Sequence, residues 1–580
     1  MITHRQLAPV FIVQALLLLV AAWRNADQLN PDAVAYCRIA GYYANGQWEL
    51  AMTGYWGPLL SWQMVPLLKM GCMPLTAARV VMVVSGVVFL AGAVAVFRAF
   101  RLPSKATLAG AWIASGWSVF WSVRNISPDL LLAGLAGLAM AATVTALLTS
   151  GSAPKEETQK MHGTAETGAG PENSIGAKNF CALWTFSLMR QHLADRAQRH
   201  AISAGMWWGL AYLAKAVALP WAILLTVSLT LLAQCGGPDS RRKVTAKLGV
   251  IWLCLGLVAG PWIATLSLHY GKFIFSTTGP IAHALAGPGD ESRYHPAMVT
   301  LHQPDAGRVT QWEEPSRMAY RYWSPFASGE NFQHQLRVAG QNLITILKWL
   351  APWSEWLSNE SLPTWRRWLG AVDFLGLGAV ALLSVVFRCA FSQLRPLPRR
   401  WRMAILPVVL LGGMYLPFLV MPEDNRYFWP VWPCLWVLGL AALSRTGKVR
   451  QVGFQILLWS FALSSLAWCF AALRGLPNVT PAAAKMIAEQ VKHNRWDGPV
   501  AGSGLLPGGR AGLYTAFHLG ERWLGDDSLA RPEDFAAAGA RVVLLRRDSP
   551  QREEFLRAPG WRPFEPAASI PLIVFVREKL

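Results

Sequence analysis

The chain has 580 residues, 53% of them hydrophobic, with 29 Trp and a formal net charge of +20. Apolar runs of about bilayer-spanning length recur along it, which excludes a soluble globular enzyme and indicates a polytopic α-helical membrane protein with tryptophan belts at its interfaces. The basic residues gather in particular loops, so the charge reads as topology and not as nucleic-acid binding.

Residues 7–23 are apolar behind His4 and Arg5 and lack a small-x-small cleavage pattern, so they read as a retained first span with its N-terminus inside. Asn30-Pro31-Asp32 then marks a helix start, with asparagine as cap, proline in the first position and an acid in the first turn. Helical spacing sets Asp32, Tyr36, Ala40 and Tyr43 on one face, ahead of a Gly/Pro/Trp-rich turn at 54–58. Spans follow at 75–97, 106–123 and 129–148, with Arg98, Arg101 and Lys105 inside and residues 124–127 as an outer turn. Cys37 and Cys72 both fall on the outer side and are expected as free thiols in preference to a disulfide.

The stretch 150–178 is rich in Gly, Ser, Thr, Glu and Lys and reads as a disordered inner loop. Residues 201–234 are too long for one crossing and carry Lys215 in their middle, so two short spans are expected to meet near the outer surface there. A span at 250–268 leads into a long outer loop at about 269–345, followed by an amphipathic helix at 344–356. Further spans are expected at 370–386, 403–421, 427–443 and 454–473. This makes about eleven transmembrane helices, with every dense Lys/Arg cluster inside and the C-terminus outside.

The transmembrane part is thus 1–475, and residues 478–580 read as a small C-terminal α/β domain on the outer side. Its strands are expected at 499–503, 541–546 and 570–576, and its helices at 481–494, 532–539 and 550–556. Gly502-Ser503-Gly504 and Gly508-Gly509 lack dinucleotide spacing and read as a turn.

Ionisable groups in or beside spans are costly unless they function. This topology gathers Asp32, Arg38, Asp129, Lys215, Glu423, Asp424 and Arg426 at the outer face. Acids able to act as a base or hold a metal, beside cations able to hold a phosphate, suit a transferase with an anionic lipid donor. Each has a plain structural alternative: Asp32 and Asp129 as helix-start acids, Lys215 as a snorkelling lysine, Glu423, Asp424 and Arg426 as turn residues. His269, His283, His295 and His302 lack ligand-like spacing, and a divalent metal stays open as a cofactor.

The motifs then resemble a known superfamily. Asp32 with Tyr36, Arg38-Ile39-Ala40 and Gly46, the Gly57-Pro58-Leu59-Leu60 turn, Ser127-Pro128-Asp129-Leu130-Leu131, Gly209 to Lys215, and Arg426-Tyr427-Phe428 occur in an order similar to that of GT-C membrane glycosyltransferases. The likeness is to the protein O-mannosyltransferase and aminoarabinose-transferase-like branch and covers about residues 1–443. The resemblance implies Asp32 and Asp129 as catalytic acids, and Tyr36, Arg38, Lys215, Glu423, Arg426 and Tyr427 as substrate-binding residues. It also implies a polyprenyl-phosphate sugar donor, a lipid, glycan or protein acceptor, and a place in a bacterial inner membrane. Many members carry a second acid beside the first, whereas Ala33 follows Asp32 here.

The resulting expectation is an inverting glycosyltransferase that moves a sugar from a polyprenyl monophosphate to an acceptor hydroxyl at the outer face. Its rivals are a transporter or flippase, which internal repeats and midplane breaks would mark, and a non-catalytic membrane scaffold. On this reading Lys215→Met weakens donor binding without changing folding.

Overall fold

A computed structural model describes residues 3–148, 196–233, 238–289, 294–349, 426, 448–476, 479–505, 510–566 and 570–578. The expected inner loop at 150–178 and the spans at 370–386, 403–421 and 427–443 lie outside these residues. Among the described residues, four helices are long and apolar enough to cross a bilayer: His4–Arg24, Pro74–Ala99, Asp129–Leu147 and Arg242–Tyr270. Ser104–Arg124, Arg196–Ala214, Ala218–Ala233 and Lys448–Arg474 are helices at other expected spans.

The first helix, α1 (His4–Arg24), shows how the bundle is sorted. Leu7, Val10, Gln14, Leu18 and Ala21 fall on one helical stripe and are buried. Ile12, Leu16, Leu19 and Trp23 face outward, as a lipid-facing surface requires. Gln14 is the polar exception, and its amide donates to the Gly86 carbonyl at 2.9 Å and to Ser118 Oγ at 2.7 Å. That ties α1 to the helices Pro74–Ala99 and Ser104–Arg124 with its donors satisfied inside the bundle. Where Pro74–Ala99 crosses Asp129–Leu148, a Cβ on Gly92 would lie 2.2 Å from the Gly134 carbonyl oxygen. The crossing therefore needs glycine, and it seats the helix that begins at Asp129 tightly in the bundle.

Lys247 follows the basic run Arg241-Arg242-Lys243 in the sequence. It is buried in the helix Pro238–Tyr270 and donates to the Ala146 carbonyl at 3.2 Å. A cation at the C-terminal end of Asp129–Leu148 is well placed against the carbonyls that end the helix.

The segments expected on the outer side are more ordered than the sequence suggested. The helix α2 (Pro31–Ala44) is followed by helices Trp48–Ala51 and Pro58–Lys69. The stretch expected as one long loop contains helices Thr278–Leu285, Pro296–Val299 and Gly329–Trp349. The last of these starts at Gly329, well before the expected 344. Its polar Gln335 and Asn342 turn inward while Phe332, Leu336 and Leu343 stay exposed, so ordinary burial logic hid it.

After helix Val479–His493 the chain forms a five-stranded sheet in the order β2-β1-β3-β5-β4. The strands are β1 (Val500–Ser503), β2 (Trp523–Asp526), β3 (Val542–Arg546), β4 (Trp561–Phe564) and β5 (Leu572–Arg577). β1 runs parallel to β2 and β3, and β5 antiparallel to β3 and β4. Side chains alternate between two covered faces. Val543, Leu545, Ile573 and Phe575 join Phe535 and Phe555 on one side. Val542, Leu544 and Val574 meet Ile487 and Leu513 on the other. β2, β4 and the helix Arg510–Leu519 were not foreseen. The edge of β2 is taken up by the outer loop: Trp523 N donates to the Val309 carbonyl at 2.8 Å, and His302 N to the Leu524 carbonyl at 2.9 Å.

Candidate active site

Asp32 and Asp129 sit at the starts of two helices separated by almost a hundred residues, and Asn30 joins those starts. Asn30 stands at the N-cap position of α2, but its side chain does not cap it. Instead, its carbonyl accepts from Ile126 N at 2.9 Å and its amide donates to the Ile126 carbonyl at 3.3 Å. The cap residue is thus a two-point clamp between the segments that carry the two acids. Pro31 holds the first helical position as expected.

Lys215 lies in the break between the helices Arg196–Ala214 and Ala218–Ala233. Its position depends on Gly57, where a Cβ would lie 2.2 Å from the Ala214 carbonyl oxygen. Only glycine lets the Gly57-Pro58 turn come this close to the residue before Lys215.

These elements converge on one alternating row of charges. Arg426 Nη1 donates to Asp32 Oδ2 at 2.5 Å, and Arg426 Nε faces Asp129 Oδ2 at 3.7 Å. Lys215 Nζ donates to Asp129 Oδ1 at 2.6 Å. The side chain of Asp129 is 2% exposed, whereas those of Asp32, Arg426 and Lys215 are 15%, 19% and 22% exposed. The row is neutral overall, buried at Asp129 and open at the other members. It can exchange partners with an anion that enters from the open side, because both cations already have a route to it.

Tyr36 is buried beside the row with its ring edge-on to Trp56 at 5.1 Å. Burial, then the charges of Asp32 and Asp129, hold its phenol well above the usual tyrosine range. It stays protonated and is able to donate a hydrogen bond. Arg38 does not join the row: it donates to the Phe517 carbonyl at 3.4 Å and lies over the Phe517 ring at 5.5 Å. Glu423 and Tyr427 lie outside the described residues.

The outer loop closes one side. Trp312 Nε1 donates to the Pro31 carbonyl at 3.0 Å, and Trp56 Nε1 donates to the Trp312 carbonyl at 2.9 Å. Behind Trp312, His295 bridges two phenols: Nε2 lies 3.2 Å from Tyr55 OH and Nδ1 lies 3.0 Å from Tyr320 OH. Burial pushes the His295 imidazole down to about 3. Trp312 and the adjacent Glu313 were missed from sequence, although Thr310-x-x-Glu313 is a capping-box pattern and the structure forms that box.

Asp32 and Asp129 are both held by cations, and among the described residues no three His, Cys, Asp or Glu side chains gather as a metal-binding group. Two carboxylates already paired with Arg426 and Lys215 are a poor fit for a divalent ion. Cys37 and Cys72 are free thiols.

No protein-family model matches the chain, and no curated protein matches it. Among solved structures it is similar to ArnT from Cupriavidus metallidurans bound to undecaprenyl phosphate, at 14% identity and TM-score 0.54, covering 99% of this chain and 98% of that one. The apo state of the same protein aligns at 14% identity and TM-score 0.52, covering 98% and 97%. The Archaeoglobus fulgidus oligosaccharyltransferase in the apo form aligns at 10% identity and TM-score 0.51, covering 93% of this chain and 69% of that one.

Proposed function

We propose that this chain, whose helical fold is similar to that of GT-C membrane glycosyltransferases, is an inverting glycosyltransferase acting at the outer face of a bacterial inner membrane. The donor is a polyprenyl-monophosphate sugar and the acceptor a hydroxyl of a lipid, glycan or protein. The observation that carries this reading is the row Asp32–Arg426–Asp129–Lys215, in which two acids and two cations from distant parts of the chain meet in one partly exposed cluster. The ArnT structure with undecaprenyl phosphate adds a fold precedent for a polyprenyl phosphate ligand.

The row suggests how binding and chemistry are linked. The donor phosphate draws Arg426 and Lys215 toward itself and releases the Asp32 carboxylate from its guanidinium. Asp32, no longer held by Arg426, takes the proton of the acceptor hydroxyl. The acceptor oxygen bonds to the anomeric carbon from the face opposite the phosphate. The carbon–oxygen bond to phosphate breaks, and polyprenyl monophosphate leaves with the electron pair. Arg426 and Lys215 stabilise the charge that grows on it. Asp129 keeps the two cations in place, and Tyr36 donates to a substrate oxygen. Trp312, held on the Pro31 carbonyl, helps to keep water from the anomeric carbon.

The purified protein, given a synthetic polyprenyl-phosphate sugar and a membrane or protein fraction, is expected to transfer the sugar with inversion and release polyprenyl monophosphate. The Arg426→Gln variant is expected to lose donor affinity. Absence of transfer from any such donor, with lipid movement between leaflets in its place, would refute the reading.

A further inference from the structure

Arg38, Tyr42, Arg308 and Glu313 meet in a buried knot between α2 and residues 305–317 of the outer loop. Glu313 is fully buried. Its Oε2 accepts the Tyr42 hydroxyl at 2.7 Å and its Oε1 accepts Thr310 N at 3.2 Å. The Tyr42 hydroxyl also lies 3.3 Å from the Gly307 carbonyl. A carboxylate in such a place is tolerated only if hydrogen bonds and opposite charge replace water. Burial pushes the Glu313 carboxyl up, while the Tyr42 hydrogen bond and the nearby Arg308 and Arg38 pull it down. Arg308 is itself buried, with Asp305 Oδ2 at 3.7 Å from its Nε.

The residue before Glu313 is Trp312, which donates to the Pro31 carbonyl. The loop therefore grips α2 at two places, Tyr42 near its end and Pro31 at its start. These are about 16 Å apart along the helix. Pro31 is the neighbour of Asp32. Arg38 extends the same knot to the C-terminal sheet through the Phe517 carbonyl.

We propose that Glu313 is a positioning residue for Asp32: its buried carboxylate locks the loop along α2 and so fixes the helix start that aims the Asp32 side chain. The kinetic consequence rests on the glycosyltransferase reading, whereas the lock itself does not. The alternative is that the knot only stabilises the fold.

The experiment compares full-length wild type, Glu313→Gln, Glu313→Asp and Tyr42→Phe. Trypsin reads the lock, because Arg308 is buried under it while Arg321 is exposed and serves as the internal control. Losing a buried, hydrogen-bonded charge should raise cleavage after Arg308 relative to Arg321 about tenfold in Glu313→Gln. Tyr42→Phe should follow the same direction, and Glu313→Asp should recover part of the protection. In the transfer assay, kcat per folded molecule should fall about ten- to a hundredfold in Glu313→Gln. KM for the donor should hold, because Lys215 and Arg426 are untouched. Unchanged cleavage after Arg308 overturns the lock. Faster cleavage with unchanged kcat per folded molecule overturns the positioning role and leaves a stabilising one. A wild type that transfers no sugar overturns the glycosyltransferase reading and the positioning role together, and the cleavage ratio still decides the lock.

Discussion

Lys215 Nζ lies 2.6 Å from Asp129 Oδ1, and the aspartate has almost no contact with solvent. A snorkelling lysine would point its ammonium to water; this one points it at a buried carboxylate. The pair therefore bears on folding as well as on the proposed phosphate binding, contrary to what the isolated lysine suggested. Removing the cation alone leaves Asp129 with only Arg426 Nε, 3.7 Å away, to offset its buried charge. Lys215→Met should lower stability by about 2–3 kcal/mol, less than a fully buried pair because the lysine is partly exposed. Lys215→Met with Asp129→Asn should recover most of that loss and stay defective in donor binding. Thermal unfolding and donor titration on the single and double variants check both expectations.

Gly57 should matter for the same site without touching substrate. A Cβ there would sit 2.2 Å from the Ala214 carbonyl oxygen, a backbone atom that cannot rotate away. Gly57→Ala should push the turn off the segment that carries Lys215. Overpacking of this kind costs about 1–3 kcal/mol. Donor affinity should fall along with the unfolding temperature, whereas Gly46→Ala, which meets nothing within 4 Å but sits at φ +74°, should cost stability alone.

His295 sets a pH dependence. Burial holds its pKa at about 3, below the usual 6.5, so the folded chain keeps it neutral while the unfolded chain takes up a proton. Its contribution to stability is complete above about pH 6.5 and is lost as pH falls from there toward about 3. Between about pH 7 and about pH 5 the loss should be about 2 kcal/mol. Tyr55 and Tyr320 are the groups that face it, and neither is charged in that range. His295→Asn should flatten the slope of unfolding temperature against pH over that interval, and a slope equal to that of the wild type would remove the assignment.

The parts of the site that were legible in the sequence share one property. Asp32, Asp129, Lys215 and Arg426 are ionisable groups at the ends of apolar segments, where their cost in lipid singles them out. Helix starts such as Pro31 and Asp129 were legible from local chemistry for the same reason. Asn30 was read as a cap because its type and place fit one, but its amide is taken by Ile126, a partner that no local rule names. Glu313 and Tyr42 are likewise joined by a contact across most of the first half of the chain. The strands Trp523–Asp526 and Trp561–Phe564 were hidden by Gly525 and Pro563, residues that weaken a strand pattern. Trp523–Asp526 forms beside β1 and the outer loop, so its neighbours decide what its own sequence does not.

Asp32 is the proposed general base. Asp32→Asn keeps the shape and an acceptor for Arg426 Nη1, and it removes the negative charge and the basicity. The stability change should be about 1–2 kcal/mol, the worth of one charge-assisted hydrogen bond. Loss of a general base should cost about a hundredfold to ten-thousandfold in turnover. The decisive measurement is the sugar transfer rate of Asp32→Asn per folded molecule, taken beside its thermal unfolding. A general base at Asp32 gives a loss of at least about a hundredfold in turnover with near-normal melting, and turnover close to that of the wild type would contradict that role.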